Sequence, residues 1–565
     1  MTDRMMNKWH VFWAVFALAL VTTGLFALAT CARGAEVSVT IDGETWTGTV
    51  EKAVVPEPVP EPTPEPIPQH QASFTAWTGP WPREWTPTAV DYAILAEKFA
   101  GVWFIIENIN MHGSDFYRKD WLLKWSALAK KYGFGLQYFL TSGPTVEALR
   151  ATVWPDNCEA VMIGSDVTYT PERLAELAAV LPPRLVKFFP EGWYPGPVPP
   201  YQDGCHIWKR VSPWYPWNGK ADDMRSPMVL AYETRAAIDL GPEYVKAGPQ
   251  LWNDTTGQGP ETPENIRRGL ALVCWGSLGK ADYLGWGLHK GSNEQIYATA
   301  QVVGDAVREL NALGIPGDAK ATKAEVGVYI NPAFLPSAYG AGHVQMFMEL
   351  ACRSNVRWEP FYDMAQATKY KAIIVGHLLE NDWTEQERAK YAAYCNTRVA
   401  ALEEALVNQI AANEVAWKIA NTRAQIEDYS TRVARLEAQG WPVANSFTEE
   451  QWEAFREARV MVITGCGDVS PWGGRGSYLS RIPMRAYVLP HAPKSNRPTF
   501  AIAPGEDFLA DMTTILKHLR GLLADTGVEC LLDSTTVMRR EFEAGGRVGY
   551  LDLDTETGDA RVVGE

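Results

Sequence analysis

The chain has no CxxC pair, no HExxH or GxSxG signature, no P-loop and no EF-hand loop. These absences remove the usual starting points for a zinc protease, a serine hydrolase, a kinase or a calcium switch, because each of those chemistries needs its groups at fixed spacing. Basic residues are also short: 52 Lys and Arg stand against 67 Asp and Glu, a formal charge of −15, with no basic block anywhere. A nucleic-acid partner is not expected, since neutralising phosphates takes clustered cations. The eight Cys, at 31, 158, 205, 274, 352, 395, 466 and 530, show no paired spacing. Apart from Cys31 they fall mostly in predicted strands and helices, so buried free thiols are expected, with one or two disulfides left open. His112, His206 and His289 fall near predicted strand ends without metal spacing, and neither a metal nor a cofactor is expected.

Tryptophan is abundant, with 23 residues. Packing in a large core accounts for most of them, while those at predicted loop positions call for another reason. At 565 residues the chain exceeds one core, and a rough ~150 residues per domain suggests three or four, fewer if one is a barrel of ~250. Residues 1–35 have the build of an export signal: Arg4 and Lys8 precede an apolar run from Val11 to Ala29, then small residues lead to Ala35. Cleavage after Gly34, lipidation at Cys31 and an uncleaved anchor are the three alternatives, the run of ~19 residues being long enough to span a bilayer. All three place the bulk of the chain outside the cytoplasm, secreted, periplasmic or surface-anchored.

Residues 36–54 alternate around Asp42-Gly43 as a short β-hairpin does. Residues 55–72 are rich in Pro and Glu, an extended, solvated spacer that tethers the body to a membrane or wall. From 73 to 318 an apolar strand, a polar loop and an amphipathic helix recur. The strands are FTAW (74–77), VWFIIEN (102–108), FGLQYFL (134–140), CEAVMIGSD (158–166), RLVKFFPE (184–191), CHIWKRV (205–211), AGPQLWND (247–254) and ADYLGWGL (281–288), with MVLAYET (228–234) assigned to a helix. Eight such units predict a (β/α)8 barrel of the TIM type, with active groups at the carboxyl ends of the strands. An open doubly wound sheet is the alternative, weakened because no Gly-rich phosphate loop follows the first strand.

Residues 319–526 repeat an α/β pattern expected to be flavodoxin-like. It is interrupted at 397–439 by a stretch without Gly or Pro whose apolar spacing predicts a long helix or hairpin with a coiled-coil seam. Self-association into a homo-oligomer is one role for it, a solvated arm packed on its own domain the other. Residues 527–565 alternate as a β-rich tail.

Four acids fall at or near the barrel strand ends: Glu107, Asp166, Glu191 and Asp254. Glycosidic bond cleavage needs two, a proton donor and a nucleophile or base. Indoles, a phenol and amides crowd the same predicted rim: Trp77, Trp193, Trp208, Trp214, Tyr215, Gln250, Trp252, Asn253 and Trp286, with His289 just beyond. Aromatic faces stack on the C–H side of a sugar and amides bind its hydroxyls, so an oligo- or polysaccharide is the expected partner.

The terminal acid of strand four, the run Trp214-Tyr215-Pro216, Gln250, and PETPENIRR leading to GKADYLGW together resemble the barrels of retaining glycoside hydrolases and their uncharacterised relatives. The α/β region that follows is similar to the trimerisation domain of bacterial beta-galactosidases. The resemblance implies a Glu acid/base at the end of strand four and a Glu nucleophile on strand seven. Here strand four runs Gly164-Ser165-Asp166-Val167, with Val at the Glu position, and strand seven offers Asp254. The expectation is an exported glycoside hydrolase using paired carboxylates, the alternative a non-catalytic glycan-binding or assembly protein on a degenerate barrel.

Overall fold

The computed structural model describes residues 36–41, 44–49, 71–77, 89–110, 119–140, 145–163, 171–189, 198–209, 211, 215–216, 224–225, 227–252, 260–288, 291–329, 342–375, 385–412, 414, 416–439, 449–465, 484–487 and 508–564. The chain divides into two units, Met1–Ile67 and Pro68–Glu565. In the first, β1 (Glu36–Ile41) and β2 (Glu44–Thr49) pair antiparallel with Ile41 opposite Glu44, the register a two-residue turn imposes. The apolar run Val11–Ala29 lies outside the described residues, and among those described no helix is long and apolar enough to cross a membrane.

The second unit begins with β3 (Phe74–Trp77), β4 (Phe104–Asn110), β5 (Gly135–Leu140), β6 (Cys158–Ile163), β7 (Val186–Phe189) and β8 (Gly204–Lys209). A short antiparallel ribbon of β9 (Tyr215–Pro216) and β10 (Met224–Arg225) follows, then β11 (Tyr244–Pro249) and β12 (Asp282–Gly285). All but the ribbon are parallel, and they close into a barrel in chain order, with β12 returning to β3. These are the eight strands read from the sequence, displaced by a few residues at their ends. The helices that cover them are α1 (Ala89–Lys98), α2 (Lys119–Lys131), α3 (Val146–Ala151), α4 (Pro171–Ala178), α5 (Met228–Leu240), α6 (Pro263–Ser277) and α7 (Asn293–Asn311). MVLAYET lies in α5, as the alternation required.

Local chemistry fixes where the helices start. Thr262 caps α6 by accepting from the Asn265 amide, and Pro263 occupies the first helical turn, where a missing N–H costs nothing. Ser292 and Gln295 form a capping box on α7. The strands are largely apolar on both faces because one face meets these helices and the other fills the barrel, with polar exceptions on the inner face. Phe74, Phe99, Phe104 and Phe134 illustrate the outer layer, with Phe99 stacked on Phe104 at 4.1 Å and Phe134 edge-on to Phe104 at 5.0 Å.

Beyond the barrel, β13 (Lys320–Ala321) leads to β14 (Val326–Tyr329), α8 (Gly342–Arg353), β15 (Trp358–Phe361) and β16 (Ala372–Val375). Then come α9 (Glu385–Ala411), α10 (Ala416–Gln439), α11 (Glu449–Ala458), β17 (Met461–Gly465), β18 (Met484–Tyr487) and α12 (Phe508–Ala524). The sheet order is β15-β14-β16-β17-β18, parallel except for β18, which runs antiparallel to β17. The predicted helical stretch at 397–439 is two helices, starting earlier at Glu385 and broken between Ala411 and Ala416. They fold back on each other, with Thr422 donating to Gln409 at 2.9 Å and Arg398 over the Tyr429 ring.

The tail, β19 (Val537–Ala544), β20 (Arg547–Asp554) and β21 (Ala560–Gly564), is not self-contained, because β13 adds the fourth strand of its sheet. It also ties the barrel to the second sheet. Arg540 is buried and donates to the carbonyls of Trp275 and Gly276 at the end of α6, while Asn355 on the second-domain side donates to Leu532, Ser534 and Val537 carbonyls. Arg235 of α5 lies 3.8 Å over the Trp358 ring, and α5 is buried from Met228 to Ala237. Burial lowers the Arg540 guanidinium to about 9, with Arg235 nearby adding to the effect. Among the described residues six Cys are free thiols, all buried except Cys530.

Candidate functional site

A packed TIM-type barrel fills its interior with layers of side chains from alternate strands, usually branched apolar ones. Here one layer is polar. Thr75, Gln137, Phe188 and Lys246 come from the first, third, fifth and seventh barrel strands and meet at the centre. Lys246 donates to the Thr75 hydroxyl at 2.9 Å and to the Gln137 carbonyl at 2.8 Å, with its ammonium 5.2 Å from the Phe188 ring centroid. Glu107 and His206, from β4 and β8, join it. All of these groups are buried, Glu107 at 4 % exposure and Lys246 at 5 %.

The Gln137 amide can face only one way, since turning it over would point its NH2 at the Lys246 ammonium. Its Nε2 therefore donates to Glu107 Oε1 at 2.5 Å and to His206 Nε2 at 3.0 Å. A ring nitrogen that accepts leaves the proton on the other one, so His206 carries its hydrogen on Nδ1. That Nδ1 stands 3.9 Å from Glu107 Oε1, outside hydrogen-bond range. Burial holds His206 well below its ordinary range, helped by the Lys246 charge. It also lowers Lys246, against the pull of Asp282, Glu107 and Glu159. Burial pushes Glu107 up to about 7, although Lys246 and the Gln137 hydrogen bond draw it down. Toward the amino-terminal mouth, Glu159 accepts from the exposed Trp103 indole at 3.1 Å and lies over Gly135, where a Cβ would stand 2.4 Å from its oxygen.

The pH dependence of stability follows. The folded Glu107 carboxyl keeps its proton to about pH 7, and an ordinary one to 4.5. Its contribution is fully present below 4.5 and is lost as pH rises through 7, amounting to at most ~3–4 kcal/mol at ~1.4 kcal/mol per unit. His206 runs oppositely: its contribution is present above its ordinary 6.5 and falls away as pH drops below that value. The stability of wild type relative to Glu107→Gln, measured by urea unfolding between pH 4.5 and 7, should therefore decline with rising pH. A flat difference would contradict the buried, raised carboxyl.

At the carboxyl end of the barrel, Trp208 near the end of β8 and Trp286 just past β12 stack with ring centroids 5.4 Å apart and planes within 12°. Both are half-buried. Gln250, just past β11, forms a parallel bridge with Trp286, and its backbone N–H donates to the Lys209 carbonyl at 2.8 Å. Trp252, also half-buried, bridges to Pro260 and lies against Gly287 and Gly291, whose φ are +91° and +99° and where a Cβ would stand 3.0 Å from it.

Two expectations change. Glu107 is not a rim acid but the fourth of seven residues in β4, which continues to Asn110, and its carboxyl lies inside the barrel. His206 likewise belongs to the interior layer rather than the rim. Asp166, Glu191, Trp193, Trp214, Asn253, Asp254 and His289 lie outside the described residues, and only the backbone of Trp77 and Tyr215 is described. Lys246, Gln137, Thr75 and Phe188 were not singled out from the sequence. Lys246 in YVKAGP and Gln137 in GLQYFL are polar residues interrupting buried apolar strands, a signal that could have found them. Among the described residues no group of three or more His, Cys, Asp and Glu could hold a metal ion.

No family model matches the chain, and no curated protein matches it by sequence. Among solved structures it is similar to alpha-L-fucosidase isoenzyme 2 from Paenibacillus thiaminolyticus, at 10% identity and a TM-score of 0.50 over 88% of this chain and 91% of that one. A beta-galactosidase from the haloarchaeon Halorubrum lacusprofundi aligns at 10% identity and a TM-score of 0.43, over 87% and 99% of the two chains. A catalytic mutant of a GH42 beta-galactosidase from G. stearothermophilus aligns at 8% and 0.45, over 88% and 96%. The likeness to the fucosidase is one of fold.

Proposed function

We propose that this chain is an extracytoplasmic carbohydrate-active protein, a glycoside hydrolase whose sugar site lies at the carboxyl end of the barrel. The observation that carries the reading is the stacked pair Trp208 and Trp286, half-buried at that end beside Gln250. Flat indole faces suit the C–H side of a pyranose, and a nearby amide suits its hydroxyls. Asp166, Glu191 and Asp254 come in the chain just after β6, β7 and β11, where a barrel enzyme carries its reacting groups. In this reading one of them as the acid protonates the leaving oxygen while another, ionised, attacks the anomeric carbon or activates water. Glu107, buried and hydrogen-bonded below, has no place at the bond.

The second sheet, with its 2-1-3-4-5 strand order, supports a flavodoxin-like reading in which the last strand is reversed. The α9/α10 hairpin is proposed as the self-association arm and the Pro/Glu-rich segment as the tether. The degenerate-barrel alternative rests on Val167 at the position where the resemblance implies a Glu. Aryl glycosides and polysaccharides offered as a panel separate the two: release of aglycone or reducing ends supports hydrolysis, and retention on a polysaccharide gel with no product leaves binding alone.

A further inference from the structure

The polar layer lies directly under the indole pair, and one strand joins them. His206 and Trp208 are two residues apart on β8, so both point into the barrel. Trp208 meets Trp286 across the top, while His206 meets Gln137 below and packs on Phe188 at 4.4 Å between centroids. We propose that Glu107 is a positioning residue for the Trp208/Trp286 pair, acting through His206, so that the two indoles stack differently when its carboxyl is protonated and when it is ionised. As a statement about a sugar platform this rests on the function proposed above; as a statement about the indoles it does not.

The physical step is short. Glu107 already accepts from Gln137, and among the described residues His206 Nδ1 also faces it, at 3.9 Å. That is about 1 Å beyond a hydrogen bond. A neutral carboxyl has little to draw it closer, whereas a carboxylate gains a charge-assisted bond by closing the gap. The groups facing this centre limit other responses. Lys246 is held by Thr75 and Gln137, and Asp282 accepts from the Ser73 amide at 2.7 Å. Glu159 is engaged with Trp103 toward the other mouth. Phe188 offers no polar atom. The imidazole, held at Nε2 by Gln137 and against the Phe188 ring, is the part whose Nδ1 can swing toward Glu107. Trp208 is the next inward residue on its strand, the route by which the proposal carries the change to the indoles. Loss of the proton falls near neutral pH, because burial raises the Glu107 carboxyl to about 7.

The test needs no sugar. Stacked indoles give an exciton couplet in far-UV circular dichroism, isolated here as wild type minus Trp286→Phe, and it is followed on both sides of pH 7. The expected result is a single-proton step near pH 7 that is lost in Glu107→Gln and equally in His206→Phe, which keeps a ring against Phe188 but has no N–H. His206→Phe carries the test if Glu107→Gln does not fold. A couplet that ignores pH in wild type, or a step that survives in either variant, overturns the proposal. Mobility of wild type in xylan and laminarin gels on both sides of pH 7 is read separately. Retardation that changes with the couplet supports the proposal in full, and a couplet step without any retardation supports the coupling while removing the sugar reading.

Discussion

Replacing Lys246 by Met is expected to destabilise the fold by about 1.5–3 kcal/mol, the range for losing buried hydrogen bonds made by a charged group. The ammonium has two hydrogen bonds to neutral oxygens, those of Thr75 and Gln137, and its charge helps hold the Glu107 carboxyl down. Without it, Gln137 Oε1 is left buried with its donor gone, and an unmet buried acceptor costs about 1–3 kcal/mol by itself. Glu107 can respond by keeping its proton to higher pH, which limits the loss. The double variant Lys246→Met with Glu107→Gln should therefore be destabilised by less than the sum of the single changes, with a coupling within the ~0.5–3 kcal/mol that neighbouring residues show. Urea unfolding at pH 7 gives these numbers. A Lys246→Met loss below about 1 kcal/mol, or strict additivity in the double variant, would show that the polar layer is not a connected unit.

Changing Asp166 or Asp254 to Asn carries the largest expected effect on activity. If these acids deliver the proton and the second carboxylate, an amide of the same shape can do neither, and kcat should fall by roughly 10²–10⁴-fold for the proton donor. Binding to polysaccharide should be nearly unchanged, because the amide keeps the volume and a hydrogen-bonding oxygen. Glu107→Gln is the contrast: with its carboxyl inside the barrel, its effect should appear in stability and pH response rather than as a loss of that size. Equal losses at Glu107 and Asp166 would return Glu107 to the bond.

The barrel was legible because its signal is local and repeated: apolar strands end in polar loops and most are followed by a helix, some with a cap readable in the sequence, as Thr262-Pro263 shows for α6. Strand ends were less legible. Ending the second barrel strand at Asn108 rather than Asn110 was enough to move Glu107 from the interior to the rim. The polar layer was not legible as a unit, since Thr75, Glu107, Gln137, His206 and Lys246 come from five strands and only the closed register makes them neighbours. Each alone reads as one polar residue in an apolar run. The same holds for β13, which pairs with β19 more than two hundred positions along the chain. Trp208 and Trp286 were singled out separately, but that they stack on each other is a property of the barrel closing. Trp252 follows a strand in the sequence, and its place against two positive-φ glycines, Gly287 and Gly291, comes only with the fold.

The central claim is that the carboxyl end of this barrel grips sugar through the indole pair, and its most direct measurement is polysaccharide affinity electrophoresis of wild type beside Trp208→Ala, Trp286→Ala and Trp252→Ala. The account predicts that wild type is retarded by at least one polysaccharide and that Trp208→Ala and Trp286→Ala weaken the affinity about 10-fold or more, in line with the >1 kcal/mol typical of truncating an aromatic anchor. Trp252→Ala should act through stability instead. Retardation that is the same in wild type and in both Trp208→Ala and Trp286→Ala would contradict it.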